Sequence, residues 1–87
     1  MTTAAILGAE LVQDALPGLG DYDEIVVIDP SVEALERLEA QVADPRLDFL
    51  LGGLPVLPLP DASVHRVVGD FAPDDPEIAR VTAPQGE

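Results

Sequence analysis

The chain has no cysteine, which excludes disulfides and thiolate chemistry and leaves its redox compartment open. It has no lysine, and only four basic side chains face 17 acidic ones, for a formal charge of −13. Such a charge repels a nucleic-acid backbone and opposes docking on an anionic membrane. Neither partner is expected; a basic protein surface, or plain solubility, suits it better. The single histidine, His65, excludes a cluster of imidazole ligands and reads as a surface or interface residue. No basic leader precedes a long apolar core, and no stretch reaches membrane-spanning length, so a cytoplasmic location is expected. There is no Gly-x-Ser-x-Gly and no phosphate-loop pattern, and Ser31 and Ser63 read as a cap and a turn residue. Asp70, Asp74, Asp75 and Glu77 lack calcium-loop spacing, so no metal is expected. Arg37 and Arg46, with many acidic neighbours, read as salt-bridging groups.

What is present is one small domain's worth of chain. Its 87 residues are 47% hydrophobic, too apolar for a wholly disordered chain. A domain this size buries only about 60–65% of the surface that its unfolded form exposes, so it has little stability to spare. Residues 24–31 organise the rest. Ile25, Val26, Val27 and Ile28 form an unbroken apolar, β-branched run, the pattern of a parallel strand buried on both faces. Asp29 stands at its tip, and Pro30 and Ser31 open a helical pattern over residues 31–43. Either Asp29 or Ser31 can cap that helix, with Pro30 at a position where its missing amide costs nothing. Val32, Leu35, Leu38 and Val42 make its buried stripe, and Glu33 and Arg37 form a favourable i,i+4 pair.

Ahead of this unit, residues 4–7 read as a short strand. Gly8 and a helical stripe of Leu11, Val12, Ala15 and Leu16 follow, until Pro17 to Gly20 stops it. Behind it, residues 47–51 read as a third strand, residues 54–60 as a proline-rich extended loop, and residues 64–68 as a fourth strand. The expected fold is α/β: a truncated Rossmann-like parallel sheet of three to four strands with two helices. The expected domain spans residues 1–72, with residues 73–87 as an acidic, flexible tail in which residues 78–81 have room for one helical turn. Right-handed crossovers put both helices on one face. The other apolar face then needs a cover: a second copy, another protein, or the chain's own loop and tail.

The motifs Ile28-Asp29-Pro30-Ser31, Asp44-Pro45-Arg46-Leu47-Asp48-Phe49 with Gly52, and Leu57-Pro58-Leu59-Pro60-Asp61-Ala62-Ser63 together resemble a known family. They are similar to the N-terminal half of class I S-adenosylmethionine-dependent methyltransferases of the ubiquinone and menaquinone biosynthesis-like type. The resemblance covers roughly residues 4–71. It implies that Gly8 stands in the cofactor's glycine-rich turn and that Asp29 binds ribose hydroxyls, although Asp29 reads equally as a helix cap. The glycine-rich motif is degenerate, with Ala9 and Glu10 after Gly8. No acid precedes the turn, Gly53 and His65 replace two further family acids, and the outer half of the fold is absent.

Independent catalysis is therefore not expected, and neither is a bound cofactor. The expected function is that of a methyltransferase-like accessory or regulatory protein acting by protein–protein association in a biosynthetic pathway. It would form a homodimer, or a heteromer with a methyltransferase or another biosynthetic enzyme. The expected contact residues are Ile25, Val27, Phe49, Leu51, Leu54, Val56, Leu57, Val67 and Phe71. The alternative is a component that binds S-adenosylmethionine or a nucleotide through Asp29 and Gly8 once a partner or second copy completes the site.

Overall fold

The computed structural model describes residues 2–84. Four strands form one parallel sheet: β1 (Thr3–Leu7), β2 (Glu24–Asp29), β3 (Leu47–Leu51) and β4 (Arg66–Gly69), in the order β3-β2-β1-β4. The first two crossovers step one way across the sheet. The third jumps back past β2 to the far side of β1, which makes β1 and β4 the switch point where the carboxyl ends of the strands part. The register aligns Ala4, Ala5, Ile6 and Leu7 of β1 with Ile25, Val26, Val27 and Ile28 of β2. Gly69 lets β4 close on β1, since a Cβ there would stand 2.8 Å from the Leu7 Cβ.

The stretch between β1 and β2 is a mixed helix. A 3-10 turn (Ala9–Leu11) runs into α1 (Val12–Ala15) and out through a second 3-10 turn (Leu16–Leu19). Helix α2 (Val32–Gln41) follows β2, and Ser31 is its cap: the Ser31 Oγ accepts from the Ala34 N–H at 3.2 Å. Both helices cover one face, where Ala4, Ile6, Ile25, Val27 and Leu47 meet Val12, Leu19, Leu35 and Leu38. Val32 departs from the expected stripe. It sits in the first turn of α2 and is 54% exposed. Glu33 and Arg37 form no ion pair among the described residues.

The second face is not bare. Ala5 and Ile28 are buried there under Leu57 and Val64 from the loop and under Ile78 and Val81. The last two belong to a third helix, α3 (Pro76–Val81), in the region expected to be a flexible tail. Asp75 caps α3 through its Oδ1, which accepts from the Glu77 N–H at 2.9 Å. The Leu57 N–H donates to Glu77 Oε2 at 2.6 Å. Arg80 grips Glu77 and Asp61, each at 2.7 Å, and donates to the Leu57 carbonyl at 3.2 Å. The loop and helix are thus tied to each other as well as to the sheet. Of the expected tail, residues 85–87 lie outside the described residues. After α3 the chain returns to the sheet: the Ala83 N–H donates to the Val64 carbonyl at 2.7 Å, beside β4.

A second arginine staples the helix-covered face. Arg46 donates to the carbonyls of Leu19 and Tyr22 and pairs with Asp44 at 2.8 Å. That pairing holds the Asp44 carboxyl down to about 2, because the guanidinium hydrogen-bonds its charged form. The Arg80 guanidinium, with help from the Leu57 amide, likewise holds Glu77 down to about 2.

Candidate functional site

Parallel strands leave their carboxyl ends along one edge, and a cleft of about 510 Å³ opens there. Leu7, Gly8, Glu10, Ile28, Asp29, Pro30, Gly52, Gly53, Leu54 and Asp70 line it. Gly8 turns the chain out of β1 at φ +123°, a conformation that favours glycine. Its N–H donates to the Ile28 carbonyl at 2.8 Å. The structure therefore brings Gly8 and Asp29 together.

What they do together is internal. Asp29 Oδ2 accepts from the Ala9 N–H and Oδ1 from the Ser31 N–H, both at 2.8 Å. One carboxylate thus fixes the turn after β1 and the turn into α2. Asp29 does not cap α2 in the ordinary sense, because Ser31 does. Glu10 and Asp70 add two more carboxylates to the cleft, with no basic side chain among the residues lining it. Both carboxylate oxygens that a ribose would need already hold main-chain amides, and the methionine carboxylate of S-adenosylmethionine would meet like charge. The residues present therefore fit that cofactor poorly. Among the described residues, no group of three or more His, Asp or Glu side chains is placed to hold a metal ion.

The second candidate is a surface. Among the described residues, the exposed large apolar side chains are Val32, Leu51, Leu54 and Val56, at 54, 58, 38 and 73% exposure. They converge on one corner. Leu51 ends β3 opposite Asp29. Gly53 lies against Pro30, and Val56 bridges back to Gly53. Val32 begins the helix just beyond Pro30. The outer edge of β3 runs into this corner. Its residues alternate: the Arg46 carbonyl and the Gly52 N–H bond to β2, so the main-chain groups of Phe49 and Leu51 face away from the sheet.

The expected contact residues therefore divide. Leu51, Leu54 and Val56 lie at the exposed corner. Ile25 and Val27 do not: they are wholly buried under α1 and α2, because the alternate residues of β2 that face the helices are these two. Leu57 is buried too, folded onto the second face as part of its cover. Phe49 is half-buried against the helix side, and Val67 and Phe71 are half-buried on the other. Val32 belongs to the corner and was hidden by its place in an apolar helical stripe. A first-turn position beyond Pro30 was the available signal.

Compared with known proteins, the chain matches no family model and no curated protein. It does match a chain in the solved complex between the Haloferax volcanii Trm112 methyltransferase activator and a proposed methyltransferase. That match has a TM-score of 0.77 and 30% identity, and covers 98% of this chain and 42% of the other. The chain thus spans about two-fifths of the length of the chain it matches. These findings correct the family membership that the motifs implied. No family model places this chain among the class I S-adenosylmethionine-dependent methyltransferases, and the likeness leads instead to an activator–methyltransferase complex. Geometry explains why the motif was misleading: Asp29 is spent on tying the chain's own turns. Among the described residues, no helix is long and apolar enough to cross a membrane.

Proposed function

We propose that this chain is a non-catalytic accessory protein that acts by binding another protein of a methyltransferase system, in the cytoplasm. One observation carries the reading. Among the described residues, the exposed large apolar side chains gather at a single corner, beside a strand edge whose outward main-chain groups take no described partner. Apolar area and unpaired strand groups in one place favour burial against a partner. The likeness to a chain from an activator–methyltransferase complex supports the choice of partner. The acidic surface favours a partner whose rim is basic.

Calorimetric titration of the chain against a purified activator and a purified methyltransferase of that kind tests this. Saturable binding to one of them is expected. The double variant Leu51→Asp with Val56→Asp should weaken it at least tenfold while the circular dichroism spectrum stays unchanged. Binding to neither protein contradicts the reading.

The protein works in this account without a bound cofactor. The internal engagement of Asp29 and the crowd of carboxylates in the cleft support that. Thermal melting with millimolar S-adenosylmethionine should leave the midpoint unmoved, since a ligand specific for the folded state raises it. A rise that Asp29→Asn removes would contradict it.

A further inference from the structure

A second pocket, of about 370 Å³, lies between the 3-10 turn after β1 and helix α2. Small-molecule sites span about 300–1,000 Å³, so it is large enough for a small ligand. Helix α2 forms one wall. Ala34, Arg37, Leu38 and Gln41 stand at i, i+3, i+4 and i+7, so a single stripe of the helix faces the pocket. Leu38 is buried and Ala34 half-buried, which makes the inner part of that stripe apolar, while Arg37 and Gln41 are exposed at its rim. The turn forms the other wall, with Ala9 buried and Glu10 exposed. Asp29 also lines the pocket, but its two oxygens are taken by the Ala9 and Ser31 amides. That leaves Glu10 and Arg37 as the two uncommitted charges. They make no ion pair with each other, and neither makes one elsewhere among the described residues. With 17 acidic residues against four basic ones, an arginine that lines a pocket without a carboxylate partner stands out.

We propose that this pocket binds a small apolar α-amino acid, with its ammonium at Glu10, its carboxylate at Arg37 and its side chain on Ala34 and Leu38. The two opposite charges select a zwitterion. A simple anion meets Glu10 and Asp29 as well as Arg37, and a simple cation meets Arg37. A ligand that carries both signs answers both walls at once. The guanidinium suits a carboxylate because it offers two parallel N–H donors, and the Gln41 amide one turn on offers another. The apolar part of the helix stripe selects an aliphatic side chain over a polar one. By the same argument S-adenosylmethionine, with a polar nucleoside where the aliphatic end would lie, is not a ligand of this pocket. Exposed charges contribute little each, so the dissociation constant is on the order of 1 mM. None of Val32, Leu51, Leu54 and Val56 lines the pocket, so the site stands apart from the apolar corner and the two readings fail separately.

Two-dimensional NMR of the whole chain, titrated with L-leucine from about 0.1 to about 10 mM at an ionic strength of about 0.02 M, tests the proposal. Saturable shifts are expected at the amides of residues 9–11 and 34–41. N-acetyl-leucine lacks the ammonium and leucinamide lacks the carboxylate, so each should bind roughly tenfold more weakly or worse. Glu10→Gln and Arg37→Gln should each weaken leucine by a similar factor. Both side chains are exposed, so the circular dichroism spectrum should stay unchanged. No saturable shift across that range overturns the proposal. So do shifts centred on Gly8, Gly52 and Gly53 in the strand-end cleft, equal binding of either blocked analogue, or a leucine affinity that either variant leaves unchanged.

Discussion

The two faces of the sheet are covered by different means. On one face, amphipathic helices present regular stripes, and Leu35 and Leu38 of α2 seal Ile25 and Val27 completely. On the other, a proline-rich loop and the six-residue helix α3 supply Leu57, Val64, Ile78 and Val81. The second cover is thinner: Val26, Leu50, Val67 and Phe71 stay half-buried beneath it. A short helix is marginal without tertiary support. Here the Arg80, Glu77 and Asp61 cluster provides it by tying helix to loop. Each cover is held by an arginine, Arg46 on the helix-covered face and Arg80 on the loop-covered one.

Mutations can break this comparison. The largest expected effect is Ile6→Ala on the helix-covered face, where the side chain is fully buried; about 4 kcal/mol should be lost in urea unfolding. Ile78→Ala, 9% exposed and under the thinner cover, should cost about 2 kcal/mol. Equal losses would show that α3 is as integral as α1 and α2. Next comes Arg80→Ala. Hydrogen exchange should quicken in residues 57–64 and 76–82 while β1, β2 and β3 keep their protection.

Acid acts on both clamps. Asp44 and Glu77 titrate near 2 in the folded chain, below their ordinary values of 3.8 and 4.5. A depressed carboxylate contributes stability above its unfolded pKa and loses it as pH falls through the folded one. Melting temperature should therefore drop from about pH 4.5 toward pH 2, and Glu77→Gln should make that drop shallower. The smallest effect on stability belongs to Leu51→Ser and Val56→Ser, within about 0.5 kcal/mol because both side chains are exposed.

The sequence made the helix-covered half legible because its signals are periodic. The β-branched run of β2, the Asp29-Pro30-Ser31 start and the Leu35–Leu38 spacing each gave an element in its place. Parallel order followed from alternation of strand and helix. Helix α3 was harder, because six residues carry little periodicity, yet Asp75-Pro76 repeats the Asp-Pro start read at Asp29-Pro30. Once α3 is overlooked, the second face looks bare, and the unbroken apolar run of β2 does not reveal that Ile25 and Val27 point to the helices while Ile28 points to that second face. The candidate site was legible in Leu51, Leu54 and Val56, which lie where turn-forming glycines and prolines interrupt the apolar pattern. Asp29 was visible as important, but its role rests on two amides brought beside it only by the fold.

The most direct test of the central claim is a hydrogen-exchange footprint of the chain mixed with an activator and a methyltransferase of the kind it resembles in structure. New protection is expected at residues 49–56 and around Val32, with the turn at Gly8 and Ala9 unchanged. Protection confined to Gly8, Ala9 and Asp29, or none at all, would contradict it.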